Sequence, residues 1–352
     1  MSKYWSEVAK KIDPYVPGEQ PQDKRYIKLN TNENPYPPSP KVLAAINQVT
    51  TETLRLYPDP ECRELRACIA EYHGLTKEQV FVGNGSDEVL AFCFQAFFNP
   101  GTPILFPDIS YSFYPVYAKL YNIDYKLIPL EDDFSLAWDK FCSPNGGVIF
   151  PNPNAPTGRY MPLEAVETIL EKNIDQVVIV DEAYIDFGGQ SAVKFINRYP
   201  NLLVVQTLSK SRSLAGLRVG LAIGHKDLIE GLERVKNSIN SYTLDRAAMA
   251  GAEAAFKDEA YFQTTRNMIM ATREKTIVDL QRLGFTVIPS LANFIFISHS
   301  RVLAADIYQQ LREEGILVRY FNKPRINNFL RVSIGNDREM KSLVEQLTTI
   351  VR

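Results

Sequence analysis

A lysine and an arginine follow an apolar strand in the segment VVQTLSKSRSLAGLRVG, residues 204–220. Thr207 and Ser209 add hydroxyl groups to the cations Lys210 and Arg218. Polar groups at the end of a buried strand cost desolvation free energy unless a partner compensates them. Because hydroxyls and cations are ligands of anions, the segment predicts an anion site at the edge of a sheet.

A turn between a strand and a helix supplies further anion ligands in VFVGNGSDEVL, residues 80–90. Gly83 and Gly85 permit a tight turn, and Ser86 and Asp87 are residue types that cap and open a helix. Free backbone N–H groups at such a helix start bind phosphate. The segment has neither the third glycine of a dinucleotide fingerprint nor the lysine of a P-loop, so a turn and cap without a ligand is the alternative.

A carboxylate and a phenol follow a fully apolar strand in VVIVDEAYIDF, residues 177–187. Asp181 needs a cation or a proton donor at that position, unless it only caps the following turn, and Tyr184 lies beside it. The proline-rich loop PNPNAPTGRYMPLE, residues 151–164, leaves another strand toward the crevice where open α/β sheets bind ligands. A rigid connector without a ligand is the alternative for that loop. We expect these segments to face one crevice.

Short apolar runs alternate with helical patterns between about residue 41 and residue 240. The predicted strands are QVFVG, TPILF, GVIF, QVVIVD, LLVVQT and VGLAIG. The predicted helices between them include SDEVLAFCFQAFF, PLEAVETILEK and KDLIEGLERVK. This order predicts an α/β fold with a mostly parallel central sheet and helices on both faces.

The remainder of the chain predicts a smaller α+β domain. One or two long helices over 245–283 precede the strands FTVIP, NFIFI, GILVRY and FLRVSI, with helices over 301–314 and 337–351. The stretch NENPYPPSP forbids a long helix and indicates an arm laid across another surface. We therefore expect an N-terminal arm that belongs partly to the small domain (1–40), a large domain (41–245) and a small C-terminal domain (246–352).

Composition excludes several classes of protein. A formal charge of -2 and a pI near 6.1 give no general field that attracts nucleic acid or an anionic membrane. No apolar run reaches the length of a membrane span, and the start MSKYWSEVAKKI is charged where a signal peptide is apolar. The four cysteines form no C-x-x-C pair and the three histidines have no ligand spacing. We expect a cytoplasmic protein without a metal.

The motifs G-N-G-S-D-E, P-N-A-P-T-G, D-E-A-Y and S-K-x-x-x-L-A-G-L-R occur together and in this order. In this combination the chain resembles the fold-type I pyridoxal-phosphate aminotransferases, and within them the histidinol-phosphate aminotransferases. The resemblance extends from KLNTNENPYPPSP to LRVSIGN. It implies reversible transamination between histidinol phosphate plus 2-oxoglutarate and imidazole acetol phosphate plus glutamate, a step of histidine biosynthesis.

The resemblance implies catalytic roles for Lys210, Asp181 and Tyr184. Lys210 would attach to the cofactor aldehyde and then move a proton between the substrate Cα and the cofactor carbon C4′, and cationic charge from Arg218 would help it lose its own proton. Asp181 would hold the pyridine nitrogen protonated, and Tyr184 would hydrogen-bond the phenolic oxygen. The implied ligands of the cofactor phosphate are Gly85, Ser86, Asp87, Thr207, Ser209 and Arg218.

Three further cofactor contacts follow from the resemblance. Tyr111 in ISYSFY matches an aromatic residue that stacks on the cofactor ring, with a core role as the alternative. Tyr57 in RLYPDP matches a tyrosine that reaches the phosphate from a partner subunit, which implies a homodimer. Many relatives have an asparagine immediately before P-T-G that contacts the phenolic oxygen, but here Ala155 occupies that place. Either Asn154 substitutes through a shifted loop, or Tyr184 makes the contact alone.

The resemblance also places the substrate. Arg331 in FLRVSIGN matches an arginine that binds the substrate carboxylate, and in this group it would face the substrate phosphate. Arg319 in GILVRYF would be a second clamp, unless it is a solvated charge at a strand end. Tyr15 would close over the imidazole end, and Asn30 would lie where the arm meets the pocket, with structural roles as the alternative. Glu33 would lie there too, and the loop cations Lys323 and Arg325 are expected at the surface.

Three other functions stay open from the sequence. An aromatic amino acid aminotransferase would use an aromatic-rich pocket in the same way. A decarboxylase of threonine phosphate shares the fold and most of the motifs. A binding protein that keeps the cofactor without turnover is opposed by the joint presence of Lys210, Asp181, Tyr184, Arg218 and Arg331.

Overall fold

The β-branched runs of the sequence form thirteen strands in the computed structural model, which describes residues 2–352. In chain order the strands are β1 (Ile27–Lys28), β2 (Val80–Asn84), β3 (Ile104–Pro107), β4 (Tyr125–Ile128), β5 (Val148–Pro151), β6 (Val178–Asp181), β7 (Leu202–Thr207), β8 (Val219–Gly224), β9 (Phe285–Ile288), β10 (Phe294–His299), β11 (Ile316–Leu317), β12 (Arg319–Tyr320) and β13 (Leu330–Ser333).

Helices separate most of these strands. They are α1 (Glu7–Lys11), α2 (Pro40–Val49), α3 (Arg63–His73), α4 (Gly85–Phe97), α5 (Tyr114–Leu120), α6 (Leu163–Lys172), α7 (Lys226–Ile239), α8 (Arg246–Lys257), α9 (Glu259–Arg282), α10 (Ala304–Glu313) and α11 (Asp337–Val351).

Seven strands form the central sheet in the order β2-β8-β7-β6-β5-β3-β4. All neighbouring pairs are parallel except those of β8, which runs antiparallel to both β2 and β7. Alternate residues of each strand enter two different apolar clusters, so both faces of the sheet are covered. Helices α3, α6 and α8 cover one face, whereas α4, α5 and α7 cover the other. The predicted α/β fold is confirmed.

A second sheet of four antiparallel strands, β12-β13-β10-β9, packs against α9, α10 and α11. The N-terminal arm joins this region because β1 pairs with β11 in parallel and Leu29 enters the same apolar cluster. Its backbone also pairs with β13, where the N–H of Ser333 donates to the carbonyl of Leu29 at 2.9 Å. These contacts place residues 29–33 of the arm beside the end of β13.

One predicted strand is divided in the structure, and one observed strand was not among the predicted elements. The run GILVRY is not one strand: β11 and β12 are separated by Val318 and pair in different sheets, one with the arm and one with β13. Strand β4 was not predicted, because at this sheet edge it exposes Lys126 and Leu127 and lacks a clear apolar alternation.

The three-part division at residues 40 and 245 stays a prediction. Helix α8 packs on α2 and α3 and shares the core of the seven-stranded sheet. This packing favours a boundary after α8, at the turn around Asp258 that separates it from α9. Among residues 2–352, no helix combines the length and hydropathy needed to cross a membrane.

Candidate active site

A cavity of about 380 Å³ lies at the carboxyl ends of β5, β6 and β7. The start of α4, the N-terminal arm and the ends of β12 and β13 complete its walls. Thirteen of the predicted site residues line it: Tyr15, Asn30, Ser86, Asp87, Tyr111, Asp181, Tyr184, Thr207, Ser209, Lys210, Arg218, Arg319 and Arg331. Segments far apart in the sequence therefore converge on one crevice, as expected for the carboxyl edge of a parallel sheet.

Six of the predicted residues form an anion cup at one end of the cavity: Gly85, Ser86, Asp87, Thr207, Ser209 and Arg218. Helix α4 begins at Gly85 with Asn84 in the capping position, so the prediction that Ser86 or Asp87 caps this helix is wrong. Both residues lie instead in the first turn, where backbone N–H groups have no helical partner. The cup thus combines free N–H groups, hydroxyls and a guanidinium, which are ligands of a phosphate.

Gly85 allows the guanidinium of Arg218 to approach the start of α4. Its φ is +80°, and a Cβ at this position would lie 2.5 Å from Nη2 of Arg218. Arg218 itself has a φ of 54° and donates from Nη2 to Oδ2 of Asp87 at 3.1 Å. Tyr111 donates to the other oxygen of Asp87 at 2.6 Å. Asp87 therefore fixes one cation and one aromatic side chain at the cup.

Asp181 is a buried carboxylate at the end of β6. Its side chain is 4% exposed and accepts hydrogen bonds from the Tyr114 hydroxyl at 2.8 Å and the Ala183 N–H at 3.2 Å. Within residues 2–352, no lysine, arginine or histidine forms an ion pair with it. Burial raises the pKa of Asp181 to about 6. A proton donor or cation in the cavity would stabilise the ionised form.

The amine of Lys210 faces the same cavity. Burial, followed by the positive charge of Arg331, lowers the pKa of Lys210 to about 8. Arg218 also lowers this pKa, as expected from the sequence, but its contribution is smaller than that of Arg331. Nζ donates to the carbonyl of Thr31 on the arm at 3.2 Å. This amine can lose its proton near neutral pH, as a nucleophile or general base requires.

Tyr184 lines the cavity together with Asp181 and Lys210. The Nζ atom of Lys210 is 5.8 Å from the centre of its ring. Burial raises the pKa of Tyr184, so its hydroxyl stays protonated at neutral pH. The hydroxyl accepts a hydrogen bond of 3.0 Å from Nδ2 of Asn32.

Asn154 does not reach the cavity. It is fully buried, and its amide donates to the carbonyl of Ile109 and to Oγ1 of Thr157, both at 3.0 Å. Ala155 and the residue after it line the cavity instead, and Ala155 packs in the small apolar cluster that contacts Tyr184. The expectation of a shifted loop that brings Asn154 to the site is therefore wrong.

Arg319 and Arg331 oppose each other directly across strands β12 and β13. Two like charges at this position destabilise a strand pair unless an anion compensates them. In the part of the chain that the structure describes, neither guanidinium forms an ion pair with a carboxylate, and the buried Nε of Arg331 has no hydrogen-bond partner. The opposed arginine pair is therefore suited to an anion that enters the cavity.

The other predicted cations lie elsewhere. Arg325 pairs with Asp108 at 3.2 Å and donates to the backbone carbonyls of Leu130 and Glu131. Lys323 is exposed and does not line the cavity. Glu33 lines the cavity and pairs with Lys28 at 2.5 Å.

Tyr57 lies outside the cavity of its own chain. Its side chain is 78% exposed and stacks on Tyr242, with ring centres 4.6 Å apart. Arg246 donates to its backbone carbonyl at 2.7 Å and holds the segment in place. Tyr57 does not line the cavity of its own chain.

Residues 30–34 of the arm, with the sequence NTNEN, contact the site more extensively than the sequence indicated. Asn34 donates from Nδ2 to the carbonyls of Lys210 and Ser211 at 3.0 and 3.2 Å. Arg331 donates to the carbonyl of Asn30 at 2.8 Å. The asparagines at alternate positions of this segment are a usable signal, but the prediction included only Asn30 and Glu33. Asn32, Asn34, Tyr114, Phe113 and Phe321 were all missed.

Comparisons with known proteins agree with this geometry. The family described as "Aminotransferase class I and II" matches residues 24–347. A histidinol-phosphate aminotransferase of Clostridium acetobutylicum is 62% identical over 347 residues, which cover 99% of each chain. One of Clostridium beijerinckii is 58% identical over 100% of this chain and 98% of its own.

Solved structures share the fold. A histidinol-phosphate aminotransferase from Sinorhizobium meliloti in complex with pyridoxal-5'-phosphate has a TM-score of 0.89 at 23% identity and covers 100% of this chain and 98% of its own. An aspartate aminotransferase from Thermus thermophilus has a TM-score of 0.81 at 19% identity, covering 93% and 92%. The chain therefore belongs to the class I and II aminotransferase family, together with relatives named histidinol-phosphate aminotransferase.

Proposed function

We propose that this chain is a pyridoxal-phosphate-dependent aminotransferase of L-histidinol phosphate and 2-oxoglutarate, which it converts reversibly to imidazole acetol phosphate and L-glutamate. The observation that carries the proposal is the opposed arginine pair, Arg319 and Arg331, at the cavity that also holds Lys210. The names of relatives 58–62% identical over the whole chain support the choice of substrate.

The residues of the cavity fit pyridoxal phosphate. The anion cup supplies N–H groups, hydroxyls and Arg218 for the phosphate. The carboxylate of Asp181 has no cation of its own in the described chain and would hold the protonated ring nitrogen. Lys210 would attach to the aldehyde, and the protonated hydroxyl of Tyr184 would donate to the phenolic oxygen. When bound, the cofactor supplies a ring that accepts the electrons of the substrate Cα.

Lys210 would carry the proton transfers. Once the substrate has released it, the amine would take the proton from the substrate Cα. It would then return that proton to the cofactor carbon C4′, on the other side of the nitrogen that is transferred. The low pKa of about 8 leaves a sizeable neutral fraction near neutral pH. Asp181 has a pKa of about 6 and is ionised at neutral pH, so it would hold the ring nitrogen protonated through both half-reactions.

The opposed arginine pair would hold the substrate anion. Histidinol phosphate presents a phosphate there and 2-oxoglutarate a carboxylate, and a planar guanidinium can pair with either. Tyr15 of the arm stacks on Phe113 with ring centres 4.2 Å apart, at the wall where an imidazole would lie. Asn30 has a buried Oδ1 without a hydrogen-bond partner and lines the same wall.

A homodimer would complete the site. An exposed apolar patch includes Leu54, Leu56, Tyr57, Ile239 and Tyr242. Asn84, at the edge of the anion cup, donates to the carbonyl of Thr243, next to this patch. A second copy that covers the patch could thus bring its Tyr57 to the phosphate. We also propose a cytoplasmic location, which the four unpaired cysteines support.

An aromatic amino acid aminotransferase is the second candidate, because Tyr15, Tyr111, Phe113 and Phe321 line the cavity and suit a phenyl ring as well as an imidazole. The two candidates are distinguished by the absorbance of the protein loaded with pyridoxal phosphate during addition of histidinol phosphate or of phenylalanine. We expect the visible band to disappear at far lower concentrations of histidinol phosphate. An equal response to both would favour the aromatic enzyme, and release of carbon dioxide from threonine phosphate would favour a decarboxylase.

A further inference from the structure

Asn32 connects strand β13 to the hydroxyl of Tyr184. Its backbone N–H donates to Oγ of Ser333 at 2.8 Å, and Oγ of Ser333 donates to its side-chain Oδ1 at 2.9 Å. Its Nδ2 then donates to the Tyr184 hydroxyl at 3.0 Å. Asn32 is 1% exposed, and its carbonyl accepts a further bond from Asn293 at 3.0 Å. Hydrogen bonds therefore hold both polar atoms of the Asn32 side chain and also its backbone N–H and carbonyl groups.

These contacts fix the direction of every proton in the chain of hydrogen bonds. A backbone N–H can only donate, so Ser333 accepts there, and Oδ1 of Asn32 is the one acceptor within residues 2–352 for the Ser333 hydroxyl proton. Because Oδ1 is the acceptor, the other end of the amide is Nδ2, which can only donate. The Tyr184 oxygen is then an acceptor on the side of the arm. Within residues 2–352 its own proton has no acceptor, and the residue lines the cavity.

The backbone of Asn32 suits this task. Its φ is 57°, a left-handed conformation that asparagine adopts more readily than most residues other than glycine. On the other side of Tyr184, Ala155 offers only a methyl group to the small cluster that contacts the ring. Asn32 is thus the side chain that sets the orientation of this hydroxyl.

We infer that Asn32 is a positioning residue that directs the hydroxyl proton of Tyr184 into the cavity, so that Tyr184 acts there as a fixed donor to an anionic oxygen. The inference rests on the proposed function, in which that oxygen is the phenolic oxygen of pyridoxal phosphate. Strand β13 carries Arg331, which would face the substrate. Through Ser333, the same strand therefore also sets the direction of the Tyr184 hydroxyl proton.

The test is a double-mutant cycle on the loaded protein. Asn32→Gly removes the amide and keeps a residue that tolerates positive φ, and Ser333→Ala removes the group that fixes the amide. Each is made in the wild-type and in the Tyr184→Phe background, and the pH midpoint of the visible absorbance band is measured. Arg331, Asp181, Asp87 and Lys210, the charged groups around Tyr184, are unchanged in all variants.

A donor at the phenolic oxygen stabilises its negative charge and lowers the midpoint. We therefore expect Asn32→Gly to raise the midpoint by about half a pH unit or more, the size of one lost hydrogen bond. Ser333→Ala should shift it in the same direction by less, and neither should shift it in the Tyr184→Phe background. Unfolding curves of the loaded proteins check that each variant is folded, and Ser333→Ala serves alone if Asn32→Gly does not fold.

Two results overturn the inference. A midpoint that does not move in the wild-type background shows that the amide does not orient the hydroxyl. Equal shifts in both backgrounds show a general structural effect that does not pass through Tyr184. Either result leaves the proposed function standing if the wild type transaminates histidinol phosphate. A wild type that does not take up pyridoxal phosphate overturns both.

Discussion

The hydroxyl of Tyr114 donates a hydrogen bond of 2.8 Å to Oδ2 of Asp181. Tyr114 is fully buried and stays uncharged, because burial and the nearby carboxylate raise the pKa of its hydroxyl far above the ordinary value. Its hydrogen bond lowers the pKa of Asp181, whereas burial, the larger effect, raises that pKa to about 6. Tyr114 thus helps to keep ionised the carboxylate that the proposed mechanism requires.

Tyr114→Phe should weaken the binding of pyridoxal phosphate at weakly acidic pH. Without the hydrogen bond the pKa of Asp181 rises above about 6, and the carboxylate is protonated as the pH falls through that higher value. We expect the loss of affinity for pyridoxal phosphate to begin about one pH unit higher than in the wild type. Equilibrium titrations between weakly acidic and neutral pH measure this shift. Tyr121→Phe, whose hydroxyl forms no hydrogen bond in the described chain, is the control, and equal profiles for both variants would contradict the prediction.

The attachment of pyridoxal phosphate to the cofactor-free protein should depend on the neutral form of Lys210. Its pKa is lowered to about 8, so the neutral amine is depleted as the pH falls through 8. We predict that the attachment rate rises with pH to a plateau, with a midpoint near 8, when it is followed by absorbance. Arg331→Gln removes a positive charge that lowers this pKa and should move the midpoint upward. A wild-type midpoint above 10, close to that of a free lysine, would mean that the amine is not buried as described.

Gly85→Ala should weaken the anion cup. The new Cβ would lie 2.5 Å from Nη2 of Arg218, so the guanidinium must move away from the start of α4. We expect affinity for pyridoxal phosphate to fall about tenfold or more, the value of one charged hydrogen bond. Gly101→Ala is a matched control, because Gly101 also has positive φ but has no atom within 4 Å of the new Cβ. That control should lose about 1–2 kcal/mol of stability and keep its affinity. Equal losses of affinity in both variants would show that backbone strain alone is responsible.

Arg331→Ala should reduce recognition of the substrate phosphate. It leaves Arg319 without its neighbour and removes a buried guanidinium that has a free Nε. We expect kcat/KM for histidinol phosphate to fall about 100-fold, and kcat/KM for histidinol, which lacks the phosphate, to change much less. Lys323→Ala, an exposed cation outside the cavity, should leave both values unchanged. Equal losses on the two substrates would assign Arg331 a role unrelated to the phosphate.

The sequence was sufficient to predict which strand ends form the site. Asp181 and Thr207 end neighbouring parallel strands, and Gly85 follows a strand that the antiparallel β8 joins to them. Parallel strands place their carboxyl ends at one edge, so polar residues after apolar runs can be assigned to a common crevice without coordinates.

The contacts of the arm could not be predicted in this way. Asn32 and Asn34 reach the site through an irregular path that has no periodicity, and their partners, Ser333 and Lys210, are distant in the sequence. Tyr114 lies on a short helix whose apolar residues are indistinguishable from core residues by pattern alone. The sequence shows Ala155 in the place where many relatives have an asparagine. It does not show that Asn32 contacts Tyr184 from the other side.

The most direct test concerns the lysine at the centre of the proposed mechanism. The protein loaded with pyridoxal phosphate is treated with borohydride, which makes the covalent attachment permanent, and its peptides are examined by mass spectrometry. We predict that the cofactor is found on the peptide that contains Lys210, and that Lys210→Ala yields no labelled peptide. Label on another lysine, or none in the wild type, would contradict the placement of the cofactor between Lys210, Asp181 and Arg218.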